Sequence, residues 1–585
     1  MKRLLRFFRD YKKEIVLAPT FKLLEAVFEL FVPLVMAAII DRGIAEADRG
    51  LIGRMSLVLV VLAAIGLTVS VTAQFFAAKA AVGVSAKMRQ ALFEHIQGFD
   101  FTHIDEAGTS AMITRMTSDV NQVQSGVNMV LRLFLRSPII VFGAMIMAFT
   151  IDVKSALVFV VAIPVLAVVV FGIMWITMPL YKKVQKALEQ VLRLTRENLT
   201  GVRVIRAFCE EDAETVKFEE HTEKLAGLQT FVGKISAIMN PITFIIVNVA
   251  TIVLIYTGAI QVNVGTITQG EVIAIVNYMS QILVELVKFA NLMITITKAL
   301  ACADRVADVF EIPGTDVQRL GMIYGETTVQ REAPFVAFDH VSYRYPGAGD
   351  ETLKDIHFNV QKGETVGIIG STGSGKTTLV QLLAGLYPVT EGTVSVSGVD
   401  VNEMDTQTLR NMIGMVPQKA VLFEGTIESN LAFGKEDATQ EEMWMALERA
   451  QIKSVIEEKG GLRARVAQNG KNLSGGQRQR VTIARALVRN PEILILDDSA
   501  SALDYATEAA LRRAIQEYEG STTTFIVSQR ASSVRHADKI LVLDDGELAG
   551  VGTHDELLVN CPVYQEIYES QYSVEESVEK GDRKS

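Results

Sequence analysis

Cysteine is nearly absent from this chain. Three residues, Cys209, Cys302 and Cys561, stand among 585, too few for a disulfide framework or a tetrahedral zinc cage. They read as incidental thiols in a reducing compartment. A surplus of positive charge is missing as well, because 57 Lys and Arg face 67 Asp and Glu for a net charge of −10. This argues against a general nucleic-acid binder, whose affinity would come from phosphate neutralisation. The length sets a prior of about three to five domains. What the chain has in quantity is apolar surface: hydrophobic residues make up 49% and the mean hydropathy is +0.28. Charged residues still account for 21%. Soluble proteins seldom average a positive hydropathy and membrane bundles seldom carry this much charge, so the average hides two unlike parts.

About twenty apolar residues cross the hydrocarbon core as a helix. Six stretches qualify, near 14–40, 57–82, 130–151, 156–178, 235–261 and 272–297. The first follows MKRLLRFFRDYKK, an amphipathic basic segment suited to lie along the inner membrane face. A cleaved signal peptide is the alternative, but no small-residue cleavage site follows and the apolar stretch is too long. With the N-terminus inside, the inner segments hold nineteen Lys and Arg against four outside, which sets the topology with both termini cytoplasmic. The outer loops are short. The two inner ones, near 83–129 and 179–234, run to about fifty residues, read as helical, and are expected to project far from the membrane.

From Pro334 the text changes to strands, turns and helices with frequent glycine. Residues 365–378 read TVGIIGSTGSGKTT, an apolar run feeding Gly370, Ser371, Thr372, Gly373, Ser374, Gly375, Lys376 and Thr377, with Thr378 opening a helix. In this loop backbone N–H groups cradle phosphates, Lys376 reaches the outer oxygens and Thr377 offers its hydroxyl to Mg²⁺. Further on, ILILDD places Asp497 at the tip of a buried strand, where a carboxylate can hold the Mg²⁺ shell. Between them stand Leu473, Ser474, Gly475, Gly476 and Gln477, a second anion-binding surface at a helix N-terminus. One nucleotide does not need two such surfaces.

The pair GSTGSGKTT and LSGGQRQR, with Asp497 standing 23 residues after Ser474, resembles the nucleotide-binding domain of ATP-binding cassette (ABC) transporters. With six spans and long inner loops, nearly the whole chain resembles an exporter half-transporter. The fold class implied is an α-helical six-span transmembrane domain followed by an α/β P-loop cassette. The expected boundaries are 1–310 for the membrane domain, 311–333 for a linker, 334–572 for the cassette and 573–585 for a charged tail. The resemblance further implies ATP and Mg²⁺ as cofactors, with Tyr345 stacking on adenine, Gln418 in the Q-loop serving the metal, and Ser501, Ala502, Leu503 and Asp504 forming the D-loop. GTSAMITRMTSDVNQVQ and GVRVIRAFCEEDAE resemble the loops that bear coupling helices. In that family two cassettes close head to tail, so each ATP lies between one chain's Walker motifs and the other's LSGGQ.

Two departures matter. The family's catalytic Glu after the Walker B Asp is Asp498 here, one methylene short for a base that must reach the attacking water. The family's switch histidine, 31 residues later, is Gln529, which hydrogen-bonds but does not titrate near neutrality. The family Glu shortly before the signature is replaced by Gln468. With the signature intact, the pattern resembles the degenerate-site subunit of heterodimeric bacterial multidrug exporters. The implied partner is a second half-transporter supplying Glu and His. A homodimer with slow hydrolysis, or an ATP-sensing membrane subunit without transport, are the alternatives. The expected location is a bacterial plasma membrane.

Ionisable residues inside spans are expensive and face a cavity or one another. Lys22, Glu25 and Glu29 share a face of the first span, Arg132 and Arg136 lie one turn apart at the start of the third, and Asn277, Gln281, Glu285 and Lys288 form a stripe on the sixth. They read either as the lining of a cavity for amphipathic small molecules or as interhelical ion pairs.

Overall fold

The computed structural model describes residues 2–314, 334–499, 503–516 and 522–571. Most of the expected linker, the charged tail 573–585, and Ser501 and Ala502 of the D-loop lie outside the described residues. Two compact units emerge: Met1–His95 with Ser110–Ile312, and Ile96–Thr109 with Pro313–Ser585.

The first unit is helical, and its six longest helical stretches are apolar enough to cross a membrane. Its main helices are α1 (Lys12–Ala38), α2 (Arg49–Gln97), α4 (Val120–Leu133), α5 (Arg136–Ile151), α6 (Val153–Thr200), α7 (Glu211–Val264) and α8 (Gln269–Val309). Helix α3 (Phe101–Ala107) falls in the second unit. The 48 residues of α6 and 54 of α7 extend about 72 and 81 Å at 1.5 Å per residue, more than twice the hydrocarbon thickness of about 30 Å. The long segment between the fourth and fifth spans is thus largely a continuation of both helices. Pro33, Pro164 and Pro241 all sit inside unbroken helices.

Arg132 and Arg136 flank a two-residue interruption: α4 ends at Leu133 and α5 begins at Arg136, while Phe134 and Leu135 keep right-handed helical backbone angles. The two residues thus stay one turn apart within the helical stretch Thr109–Ile151.

Small residues let the helices approach. Ala144, Ala148, Ala156, Ala162 and Ala274 are buried in one core with Phe159 and Tyr278, whose hydroxyl donates to the Leu30 carbonyl at 2.6 Å. A Cβ on Gly126 would lie 2.3 Å from that of Ala299, and one on Gly143 would meet Leu30 at 2.5 Å. Outward-facing Trp175, Val168 and Leu67 are largely exposed, as lipid-facing positions are. A capping box at Thr268 and Glu271 starts α8, and Asp41 accepts from Thr268 Oγ1 and Gly270 N at 2.5 and 2.7 Å.

The second unit is built on two larger sheets. Strands β1 (Val336–Tyr343), β2 (Leu353–Val360), β4 (Glu391–Val396) and β5 (Val399–Asp400) form an antiparallel sheet in the order β2-β1-β4-β5. The other sheet holds β3 (Thr365–Gly370), β6 (Ile413–Val416), β7 (Ile493–Asp497), β8 (Thr523–Val527), β9 (Lys539–Asp544) and β10 (Glu547–Gly552), in the order β10-β9-β3-β8-β7-β6. All of its neighbours pair in parallel except β9 with β10. Parallel strands covered on both faces read as unbroken apolar runs, and all five residues of β7 are buried. Helices α9 (Lys376–Leu383) and α10 (Gly475–Leu487) carry the two glycine motifs. Helix α3 joins this unit through side chains: the Tyr387 hydroxyl donates to Asp105 at 2.6 Å, and the Phe101 ring lies 6.0 Å from that of Tyr387.

Candidate nucleotide site and intramembrane charge network

Strand β3 ends where the phosphate loop begins, and its geometry demands glycine. Gly373 and Gly375 have φ of +89° and +94°, a region where L side chains are strained. A Cβ on Gly370 would lie 2.1 Å from the Leu543 carbonyl oxygen, so β3 and β9 close up only around a glycine. Lys376 opens α9, and its ammonium donates to the carbonyls of Gly370 at 2.9 Å and Ser371 at 2.5 Å, with Ser374 Oγ at 3.3 Å. It is thereby held across the mouth of the loop. Burial holds its pKa below the usual lysine value, opposed by the charges of Asp498 and Asp497.

Asp497 ends β7, the neighbour of β8 in the sheet and 2% exposed. Its Oδ1 accepts from Thr377 Oγ1 at 3.1 Å. Burial pushes its pKa up, and the adjacent Asp498 adds to this, while the Thr377 bond works the other way. A dication beside it would offset that cost. Thr377, Asp497 and the Gln418 carboxamide offer the hard oxygen donors that Mg²⁺ prefers, and they line one pocket, so these residues fit the ion. When bound with nucleotide it would neutralise phosphate charge.

The same pocket is lined by Thr352, Thr372, Gly373, Gly375, Lys376, Thr377, Thr378, Gln418, Asp498, Ser528 and Gln529. Asp498 is half-buried, with φ +45°, and its carboxylate stands 3.5 Å from Gln418 Nε2. Gln529 is exposed, and its backbone carbonyl accepts from Gln571 Nε2. Thr352 and Ser528 join a site in which sequence reading had not placed them. Their signal is weak, since each simply stands beside a strand end.

Tyr345 is packed rather than free-standing. Its hydroxyl pairs with Thr378 Oγ1 at 3.1 Å and Gln381 at 3.2 Å, and its ring meets Tyr343 and Tyr387 edge-on. Burial raises its pKa. The signature stands apart from the pocket lining. Ser474 caps α10, accepting from Gln477 N at 3.3 Å while Gln477 Oε1 accepts from Ser474 N at 3.0 Å. Ser474 and Gly475 are exposed, as is Gln468; Gly476 and Gln477 are half-buried. Asp504 accepts from Thr507 N and Oγ1, both at 2.9 Å, heading the helix Tyr505–Gln516. The Thr507 bonds hold its carboxyl below the usual range.

In the membrane unit most of the expected charges pair. Arg136 donates to Glu285 Oε1 and to Glu29 Oε2, both at 2.6 Å, and Glu25 lies 3.9 Å from its Nε. Glu285, 3% exposed, also accepts from Ser137 at 2.8 Å and Lys288 at 2.8 Å. Lys22 donates to Glu25 at 2.5 Å and Ser70 at 3.0 Å. Three acids and three bases thus tie α1, α2, α5 and α8. Both readings of these residues meet here, because Glu29, Gln281, Glu285 and Lys288 also line a cavity with Pro33 and Asn277. Arg132 is not part of that lining. The Ser70 and Ser137 contacts carried no sequence signal.

Residues 15–286 match the family described as ABC transporter transmembrane region, and residues 353–501 match the ABC transporter family. The chain is 35% identical to the Bacillus subtilis ABC transporter ATP-binding protein YfiB, over 99% of this chain and 100% of that one. It is 32% identical to the probable multidrug resistance ABC transporter ATP-binding/permease protein YheI of Bacillus subtilis, over 98% and 97%. Among solved structures it resembles a bacterial Atm1-family ABC exporter with ATP bound. The TM-score is 0.78 at 23% identity, covering 96% of this chain and 98% of that one.

Proposed function

The chain belongs to the ABC transporter family, a multi-pass ATP-driven exporter, and from that premise we propose that it is the degenerate-site half of a heterodimeric exporter of small amphipathic solutes. Residues 1–310 form the translocating part and 334–572 the motor, with both termini cytoplasmic. ATP binding draws two cassettes together and hydrolysis releases them.

The observation that carries the reading is an asymmetry within one cassette. The signature helix is intact, with Ser474 fixed by a reciprocal cap and Gly475 open to an incoming partner. This chain's own pocket has Asp498 where a longer base is needed and Gln529 at the switch position. Such a chain completes its partner's competent site while its own site, built from Lys376, Thr377, Asp497 and Gln418, holds ATP with Mg²⁺ and cleaves it slowly. Tyr345 serves the adenine and Asp504 the interface. The multidrug name of YheI and the cavity beside Glu29, Gln281, Glu285 and Lys288 support an amphipathic cargo.

The test is reconstitution with a second half-transporter bearing Glu and His at the positions of Asp498 and Gln529. ATP-dependent dye accumulation in inside-out vesicles that requires both chains is the expected result. Full transport by this chain alone defeats the heterodimer, and ATP-insensitive flux with normal ATP binding defeats export.

A further inference from the structure

The outer face of the antiparallel sheet gathers four ligand-type side chains through paired irregularities in β1 and β2. Phe338 pairs with Phe358 and the next pair is Val341 with Ile356, so Asp339 and His340 together oppose His357. One step on, Tyr343 pairs with Leu353, so the extra residue now lies in β2, around Asp355. Bulges of this kind re-aim side chains. His340 and Asp355 both adopt the left-handed region, with φ of +48° and +49°. Gly392 on β4 accommodates the first bulge, since a Cβ there would lie 2.2 Å from the His340 carbonyl oxygen.

One ligand atom from each of Asp339, His340 and His357 lies within 4.8 Å of the others. The two imidazoles stack at 5.1 Å. Asp355 Oδ1 is 2.5 Å from His340 Nδ1, and Asp339 Oδ1 is 3.3 Å from His357 Nδ1. These side chains are more than half exposed, and exposed ion pairs contribute about 0–1 kcal/mol. Left-handed non-glycine residues cost roughly 1–3 kcal/mol each. The pairing alone does not offset the conformation that assembles it.

We propose that Asp339, His340 and His357 form a binding site for a divalent first-row transition ion such as Zn²⁺ or Ni²⁺, with Asp355 as the carboxylate that orients His340. Two imidazole nitrogens and one carboxylate oxygen are the donor set such ions take, and Mg²⁺, which prefers oxygen and keeps its waters, is poorly served by it. A carboxylate on one ring nitrogen fixes the tautomer that presents the other nitrogen to metal. The ion would staple β1 to β2. Tyr345 follows the end of β1 and Thr352 of the nucleotide pocket precedes β2, so the staple would stiffen the backbone on which both stand.

The experiment titrates the purified full-length protein with Zn²⁺ and with Ni²⁺, without nucleotide and with Mg²⁺ in excess, following heat of binding and melting temperature. One ion per chain and a raised melting temperature are expected. His357→Asn should abolish that binding, and Asp355→Asn should weaken it about 10–100-fold, while His221→Ala leaves it unchanged. Each variant must bind ATP as wild type does; should His357→Asn fail this check, Asp339→Asn replaces it. Absence of saturable binding to wild type, or equal binding in the site variants, overturns the proposal.

Discussion

Thr377 donates its hydroxyl to Oδ1 of Asp497 at 3.1 Å, joining residues 120 positions apart. The bond ties the start of α9 to the end of β7, yet it does not undo the cost of burying the carboxylate, whose pKa stays above its ordinary 3.8. A raised carboxyl pKa means that the folded state binds the proton more tightly than the unfolded chain. Its destabilising contribution therefore grows as pH rises above 3.8 and is complete once pH exceeds the folded pKa; below 3.8 it vanishes. Asp497→Asn should melt higher than wild type at neutral pH without nucleotide, with the gap closing on acidification. The variant should also lose most of the stabilisation that Mg²⁺ and ATP give wild type. Thermal unfolding across pH, with and without nucleotide, reads both effects.

Two substitutions separate the two halves of the cassette. A Cβ on Gly475 meets nothing within 4 Å, so Gly475→Asp should fold normally while setting a carboxylate against the partner's nucleotide. Turnover of the complex should fall more than about tenfold, the factor that 1.4 kcal/mol of charge repulsion gives at a desolvated contact. Lys376→Ala should weaken ATP binding at this chain's own pocket about 10–100-fold, from the loss of a charged hydrogen bond, while leaving part of the turnover. Nucleotide binding and phosphate release measured on both variants give the comparison; wild-type turnover in Gly475→Asp defeats the assignment of the signature.

Restoring chain length at the base position tests why the pocket is slow. Asp498→Glu with Gln529→His should raise single-turnover hydrolysis at this site by at least about tenfold, since a positioned base contributes roughly 10²–10⁴-fold. The double variant should also acquire a dependence on pH near neutrality, through the added imidazole. Unchanged hydrolysis would locate the defect elsewhere.

The charge network is predicted to act as a unit. Glu285→Ala leaves Arg136 buried without its innermost acceptor and Lys288 without its carboxylate, and removing one partner of a buried pair costs about 3–5 kcal/mol. The detergent-solubilised protein should melt markedly lower. Lys288→Ala should cost far less, because Lys288 is 44% exposed. The difference in melting temperature between the two variants is the measurement.

The sequence revealed the six spans and the phosphate loop because both are local patterns: a hydrophobic run long enough to cross a bilayer, and glycines between a strand and a helix. Asp497 was legible for the same reason, as the polar end of an apolar run. Pairing was not. Arg136 with Glu285 joins residues 149 apart, and no periodicity distinguishes a charge facing a cavity from one facing its counter-ion. The interruption between α4 and α5 has its signal in Pro138, which cannot donate to the Phe134 carbonyl four residues earlier. The bulges in β1 and β2 were hidden because they consist of ordinary residues in an unusual backbone conformation.

Helix α3 belongs to the second unit although it lies in the first fifth of the chain. Asp105 leaves the ribosome 282 residues ahead of Tyr387, its hydrogen-bond partner, which at about 5–20 residues per second is roughly 14–56 s. Throughout that interval Phe101 and its neighbours await a surface not yet synthesised. A cassette expressed from residue 313 onward would lack them too and would present the Tyr387 face bare. The compact unit is therefore discontinuous in sequence, and a separate cassette that keeps the Asp105–Tyr387 contact calls for residues 96–109 grafted back onto it.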